Sequence, residues 1–451
     1  MSAVFDVAPE HLAATARLEL LFDAGTFRPI RSAVGDGVLS GSGRVQGRPM
    51  VAWAQDGAFK GGSLGTAGGE TIARTIERAE AMGVPVVGYP HSGGARLQEG
   101  VASLTAYGRI FRAQAIATVP IITVVSGACA GGAAYASTLG DLTIMTQDAV
   151  MFLTGPKIIE RVTREQITLG DLGGAPVQGK NGVCHLVARD DVHAAELARE
   201  LLSFLPDRIG GDRPLVPRAD APDGDPADPL PESMRKVYDV RDVARAILDA
   251  DTFFELAPKW ARNLVVGLGR IEGRAVGVIA NQPRHLGGCL DAASSEKGAW
   301  FVTMCDRFGI PLVVLADTPG FLPGATQETA GVLRHGAALL HAFSVARVPR
   351  VTVTLRQAYG GAHIVMNSRD LGATLTLAWP DAYIGVMGAR QAVELVRRRE
   401  IEAGADAQML ADAYAAEHQP VRVAAAGGFV DEVIAPHQTR DRIAHVLELA
   451  D

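Results

Sequence analysis

Apolar side chains fall into two alternating kinds of stretch. In "GETIARTIERAEAMG" (69–83), Ile72, Ile76 and Ala79 recur at i, i+4 and i+7, the spacing of one helix face. Gly83 stands where a glycine can end such a helix. "VPVVGY" (84–89) is then a short β-branched run that predicts a strand. "VASLTAYGRIFRAQAIA" (101–117) returns to the helical period, and "VPIITVVSG" (119–127) predicts the next strand, stopped at Gly127. Strand, helix, strand, helix predicts an α/β fold in which crossover helices join parallel strands.

The pattern is written twice. "LFDAGTF" (21–27) returns as "ILDADTF" (247–253), and "GRVQGR" (43–48) as "GRIEGR" (269–274). "GVPVVGYPHSGG" (83–94) matches "GIPLVVLADTPG" (309–320), and Gln98-Glu99 matches Gln327-Glu328. "VPIITV" and "VPRVTV" follow, then Gly-Gly-Ala at 131–133 and again at 360–362. "DAVMFLTG" (148–155) is answered by "DAYIGVMG" (381–388). Agreement in this order implies two copies of one domain, and the period is far too long for a solenoid. Between the copies, residues 206–231 hold seven prolines and six aspartates in 26 positions. Proline removes donors and aspartate favours turns, so an extended linker is expected there. The expected division is 1–205, a linker at 206–237, and 238–451.

Composition narrows the function. Of 451 residues, 48% are hydrophobic and 21% charged, which is globular. A formal charge of −7 excludes a general nucleic-acid binder, which needs a basic face. Residues 113–140 carry no charge, yet Pro120, four glycines and several hydroxyls interrupt them, and the repeat counterpart carries Arg356. Buried core is expected there, not a membrane span. Cys129, Cys184, Cys289 and Cys305 form no C-x-x-C pair, so neither a disulfide nor a zinc framework is expected, and a reducing cytoplasm fits. The N-terminal "MSAVFDVAPEHLAATARLEL" has no basic-then-apolar leader pattern.

The two Gly-Gly-Ala sites carry the candidate chemistry. Each follows a buried strand and opens a helical stretch. A helix start leaves backbone N–H groups without partners, and glycine lets a ligand oxygen approach them. That geometry suits an oxyanion hole; close helix packing would also select small residues. Upstream of each lies a glycine-rich turn, "HSGGARLQEG" or "DTPGFLPGATQE". No G-x-S-x-G, H-E-x-x-H or Walker pattern occurs, "GLGRIEG" lacks a strand–turn–helix setting, and no metal site is expected. His335 reads as structural, and no residue offers itself as a general base. Glu99 and Glu328 read as turn-stabilising.

"GGSLGTAGGE", "SGGARLQEG", "NQPRHLGGCLDAASSEKGAWFV", "DTPGFLPGATQE", "RQAYGGAHIVMNSRDLGATLTLAWPDAYIGVMGA" and "FVDEVI" resemble the carboxyltransferase (β) subunits of biotin-dependent acyl-CoA carboxylases, from about residue 17 to the C-terminus. The resemblance implies two duplicated crotonase-like (ClpP/crotonase) α/β domains. It implies a reaction without a protein base, in which carboxybiotin on a partner's carrier domain supplies CO2 to the enolate of a short acyl-CoA. Both the thioester oxygen and the biotin ureido oxygen would be held by backbone amides. Carried over, the first pair falls on Gly131 and Gly132, and the second, for biotin, on Gly361 and Ala362. Gly93, Gly94, Ala95, Ala133 and Ile364 would line the acyl substrate, and Gly320 and Phe321 the biotin side. The resemblance further implies a homo-oligomer, usually a trimer of dimers with the two sites facing across the dimer. With no "MKM" site and no ATP-binding carboxylase domain, a separate biotin carboxylase and carrier partner is expected.

Several positions depart from the family pattern. His91 stands where relatives carry aspartate in "DSGGAR", Gln178 and Asn181 replace a histidine and a serine, and a usual N-terminal helical segment is missing; His185 is retained. Ile364 stands where propionyl-preferring relatives often have aspartate, so acetyl-CoA or an unusual acyl-CoA is as plausible as propionyl-CoA. Two rival readings stay open. One is a decarboxylase of malonyl- or methylmalonyl-thioesters using the same site; the other is a scaffold that has lost turnover. Gly132→Val separates catalysis from scaffolding: turnover should vanish while gel filtration shows the oligomer intact.

Overall fold

The computed structural model describes residues 13–234 and 236–449; the first twelve residues of the N-terminal stretch read above lie outside them. The chain divides into two compact units at Pro214–Leu215, inside the proline- and aspartate-rich segment. That segment is irregular but fastened. Ile209 N–H donates to Thr118 O at 2.7 Å in the first unit. In the second, Ala250 N–H donates to Asp220 O at 3.0 Å and Arg440 to Ala219 O at 2.9 Å.

Each unit is built on one main sheet whose strands lie side by side in chain order. In the first unit these are β1 (Arg28–Ile30), β2 (Val38–Val45), β3 (Arg48–Gln55), β4 (Val86–Tyr89), β5 (Ile121–Val125), β6 (Leu142–Thr146) and β7 (Leu186–Ala188). In the second they are β8 (Phe254–Leu256), β9 (Leu264–Ile271), β10 (Arg274–Asn281), β11 (Leu312–Thr318), β12 (Arg350–Tyr359), β13 (Leu375–Ala378) and β14 (Glu432–Val433), and an eighth strand, Tyr383–Gly385, pairs with the end of β12 outside this row. In both units the first three strands are antiparallel and the rest parallel.

The parallel part follows from the alternation of strands with helices. The antiparallel start does not, and its cause is a two-residue turn. Gln46-Gly47 and Glu272-Gly273 all have positive φ (52°, 79°, 51° and 77°). That is the hairpin turn whose twist suits antiparallel strands. "GRVQGR" and "GRIEGR" are therefore hairpins, which also explains why "GLGRIEG" is no dinucleotide loop.

The repeated aspartate secures this turn. Asp23 accepts from the amides of Gln46 (3.1 Å) and Gly47 (2.9 Å) and from Arg199 (2.8 Å). Asp249 accepts from Glu272 and Gly273 (both 2.8 Å) and from Arg440 (2.5 Å). Each arginine lies on the last long helix of its unit, Asp191–Phe204 or Thr439–Leu449. The duplication thus extends from letters to individual hydrogen bonds.

The expected helices form as Thr66–Met82, ended by Gly83 at φ 63°, and Val101–Ile116. The helix Ala292–Arg307 places the completely buried Lys297 under the 257–264 loop. Its ammonium donates to the carbonyls of Ala257 (3.0 Å), Trp260 (2.8 Å) and Leu264 (2.7 Å). Three protons meet three acceptors, which offsets part of the cost of burying the amine.

Two measurements check these supports. The Asp249 side chain is 1% exposed and that of Asp23 is 28% exposed, although their partners match. Asp249→Ala should therefore lower the unfolding midpoint more than Asp23→Ala, by an extra ~1 kcal/mol or more, because its amides are cut off from water. His185 accepts the Thr143 N–H at 2.9 Å through Nδ1, and burial pushes its imidazole down from 6.5 to about 3. Between those values the unfolded chain binds a proton that the folded chain refuses. The stability is complete above 6.5 and declines as pH falls toward 3. His185→Asn, with an oxygen in place of Nδ1, should flatten the acid side of an unfolding-midpoint profile and leave its neutral part unchanged.

Candidate functional site

In the first unit the chain leaves β5 at Ser126, runs through Gly127 into the short strand Ala128–Ala130, and turns at Gly131 into the helix Gly132–Thr138. Gly131 adopts φ 62°, ψ −126°, a conformation that a side chain rarely permits. Its own N–H is spent on Phe152 O at 3.1 Å. The first amide of the helix, on Gly132, meets no acceptor among the described residues, and Gly132 itself is half-buried. Gly131 thus supplies the bend, and Gly132 the donor.

Gly132 cannot carry a side chain. A methyl group there would lie 2.8 Å from the Tyr107 ring. Burial pushes the Tyr107 phenol above its usual range, while its bond to Ser92 and the Ala133 amide act in the opposite sense. The neighbouring turn is tied to the same place. Ser92 N–H donates to Ala128 O at 2.7 Å, and Ala130 N–H to Ser92 O at 2.9 Å. Gly93 donates to Gly62 O at 3.2 Å, and Gly94, at φ 100°, to Ser92 Oγ at 3.2 Å. The predicted residues Gly93, Gly94 and Ala95 therefore gather beside Gly131, Gly132 and Ala133. The Gly94 amide is used inside the turn and that of Gly93 on Gly62, and Ala95 pairs with Leu64 in a two-stranded ladder.

The second unit repeats the plan. β12 runs directly into the helix Gly360–Val365, with Gly360 at φ 59°. Neither the Gly361 nor the Ala362 N–H meets an acceptor among the described residues, as expected for a first helical turn. Gly361 is exposed. A methyl group there would touch only the Phe321 ring, at 3.8 Å, an ordinary contact. Gly320, at φ 136°, donates to Thr318 Oγ1 at 3.3 Å, the counterpart of Gly94 and Ser92. Ile364 is 47% exposed, one residue past His363, whose imidazole burial lowers.

Sequence reasoning missed the buried polar groups behind these turns. Asp317, completely buried at the end of β11, accepts from Arg356 Nε and from the Tyr238 hydroxyl, both at 2.8 Å. The Arg356 guanidinium also lies 4.6 Å from the centre of the Tyr238 ring. The repeat places His91 opposite Asp317 and Gly127 opposite Arg356. Here the departure at His91 acquires a reason. Methyl groups at Gly57 or Gly127 would lie 2.5 Å and 2.7 Å from the His91 ring, so the imidazole occupies a slot that two glycines leave open. One half braces its strand ends with an ion pair, the other with a ring. Arg356, a lone charge in an apolar run, was the available signal.

Gln178 has a similar role. Its Nε2 donates to Met151 O at 2.5 Å and its Oε1 accepts from Asn181 at 2.9 Å. It thereby steadies the strand Val150–Phe152 that receives the Gly131 amide. The two replaced residues pair with each other.

Among the described residues, the candidate acids, bases and nucleophiles sit in varied surroundings. Glu99 accepts from Thr66 Oγ1 (2.7 Å) and Thr66 N–H (2.6 Å) and from Arg96 (2.8 Å). Those bonds, from Thr66 first, hold its carboxyl at about 2. It caps a helix, as its turn-stabilising reading expects. Glu328 sits on the short helix Ala325–Thr329 with its side chain in solvent. Burial pushes the thiols of Cys129 and Cys184 up to about 12, so neither is a nucleophile. His335 bonds Arg334 at 3.0 Å. Among the described residues no group of three metal-ligating side chains occurs, and no helix is long and apolar enough to cross a membrane.

Residues 11–451 match the carboxyl transferase domain family. The chain is 45% identical over 444 residues to the biotin-dependent acetyl-/propionyl-coenzyme A carboxylase beta6 subunit of Mycobacterium tuberculosis, covering 96% of this chain and 93% of that one. It is 44% identical over 445 residues to the methylmalonyl-CoA carboxyltransferase 12S subunit of Propionibacterium freudenreichii, covering 95% and 85%. A crystal structure of transcarboxylase 12S, a hexamer described with methylmalonyl-coenzyme A and methylmalonic acid bound, superposes with a TM-score of 0.93 at 42% identity, over 98% of this chain and 90% of that one. With the doubled sheet and the doubled glycine turn, these matches place the chain in the carboxyl transferase family, as a crotonase-fold carboxyltransferase subunit of the biotin-dependent acyl-CoA carboxylases.

Proposed function

We propose that Gly132, with Gly131 setting its direction, holds the thioester oxygen of a short acyl-CoA while negative charge develops there. Gly361 and Ala362 hold the ureido oxygen of biotin. The observation that carries this reading is an acceptor-free amide at the first turn of a glycine-started helix in both units. A donor fixed before the reaction needs no reorganisation when charge appears, and losing one costs ~3 kcal/mol at the transition state. Carboxybiotin, when bound, supplies the carboxyl group and the nitrogen that receives the α-proton. This accords with Glu99, the carboxylate at the end of the upstream turn, being held at about 2.

The second site suits the ureido ring. Gly361 is exposed, Gly320 has open space beside its Cα, and the Phe321 ring offers an apolar face next to both. Gly93, Gly94, Ala95 and Ala133 shape the acyl side with small residues, and Ile364 adds an apolar branch. The two units act as N- and C-terminal carboxyltransferase domains, separated at the 206–237 linker. A separate biotinylated carrier and a homo-oligomer like the hexameric 12S relative complete the enzyme. Four cysteines without a disulfide support a cytoplasmic setting.

The test uses the purified chain with malonyl-, methylmalonyl- or ethylmalonyl-CoA as carboxyl donor and free biotin as acceptor. Biotin-dependent loss of the donor is expected, with CO2 release from the thioester alone negligible. Rapid release without biotin would make the chain a decarboxylase. Gly132→Ala should cost about a hundredfold or more in kcat, since its methyl meets the Tyr107 ring. Gly361→Ala should cost far less, because its methyl meets no obstacle. Equal losses would contradict the assignment.

A further inference from the structure

The glycine at each helix start rests against an aromatic ring, but the two rings come from different places in the repeat. In the first unit the ring is Tyr107, from the helix Val101–Ile116, and a methyl on Gly132 would lie 2.8 Å from it. In the second unit the position equivalent to Tyr107 is Gly336. The ring there is Phe321, at the position equivalent to Ala95, and it packs over Gly336 as well as Gly361. Where one half has a ring, the other has a small residue, in both positions. Common ancestry would preserve a ring in one place; what is preserved is the contact.

Tyr107 has one feature that Phe321 lacks. Its hydroxyl lies 3.2 Å from Ser92 Oγ. Ser92 Oγ donates to Gly62 O at 3.0 Å and accepts from Gly94 N–H at 3.2 Å. A serine hydroxyl has one proton and two lone pairs. Since its proton is committed to Gly62, Tyr107 is the donor to it. Ser92 is completely buried and Tyr107 is 3% exposed, so water does not replace this bond.

We infer that Tyr107 is a positioning residue for the proposed oxyanion donor, fixing the Gly132 amide with its ring and locking that ring to the Ser92–Gly94 turn with its hydroxyl. The inference rests on the reading of Gly132 given above. The ring sets how far the first helical turn can tilt, and the hydroxyl ties the turn and the helix start into one unit. Such a residue acts on the transition state more than on ground-state binding, because a small misdirection of a donor matters most when charge has developed.

The test follows carboxyl transfer from malonyl- or methylmalonyl-CoA to free biotin in the full chain. Tyr107→Phe keeps the ring and should lower kcat by about fivefold, the worth of one buried hydrogen bond. KM for the thioester should stay as it was, and the unfolding midpoint should fall only slightly, as the loss of one buried hydrogen bond requires. On a Ser92→Ala background the same substitution should cost clearly less than in the wild type, since the bond to Ser92 is already gone and only the Ala133 amide loses its partner. Tyr107→Leu removes the ring and should lose about a hundredfold in kcat. Wild-type kcat in Tyr107→Phe, an undiminished effect on the Ser92→Ala background, or a change confined to KM or to stability would each overturn the inference. A dead Gly132→Ala beside a fully active Tyr107→Phe would sink the positioning role alone. A fully active Gly132→Ala would sink the oxyanion reading, and this inference with it.

Discussion

The site depends on an unpaired amide. The opening turn of any α-helix carries N–H groups that the helix cannot satisfy, and elsewhere a cap or water takes them up. Here the strand before the helix ends in a glycine bent to φ 62° or 59°, so the chain enters the helix without a capping side chain. The donor is left bare, and the missing Cβ leaves room in front of it. A side chain at that point would force the bend into a disfavoured conformation.

A bare donor is useful only if its direction is fixed, and much of the surrounding structure does that. Phe152 O takes the Gly131 amide, Gln178 steadies the strand that carries Phe152, and Ser92 stitches the upstream turn to Ala128 and Ala130. In the second unit, Asp317, Arg356 and Tyr238 brace the equivalent strand ends. These contacts are buried, so they hold their geometry with little competition from water. The direction of a backbone donor is set by packing and not by any titrating group.

Duplication explains why both units contain the same device, and divergence explains why they differ in finish. The hairpin aspartates Asp23 and Asp249 keep their roles almost bond for bond, because a two-residue turn with positive φ leaves two amides that need an acceptor. The supports near the sites have drifted: an ion pair against a ring in a glycine slot, and Tyr107 against Phe321. The first nest is half-buried and closed by its ring, and the second is exposed.

Much of this protein was legible in its sequence. The repeat, the strand–helix alternation, the end of one helix at Gly83 and the two glycine turns are local features, each written in a few consecutive letters. The antiparallel opening of each sheet was also written locally, in Gln46-Gly47 and Glu272-Gly273, but its meaning depended on which strands those turns join. What the tertiary structure alone decided is which amide remains free and what holds it. That Gly131 spends its N–H on Phe152, that Ser92 meets Tyr107, and that His91 fits between Gly57 and Gly127 are contacts between residues 15 to 36 positions apart, and partners at such distances are set by packing, which no local pattern encodes.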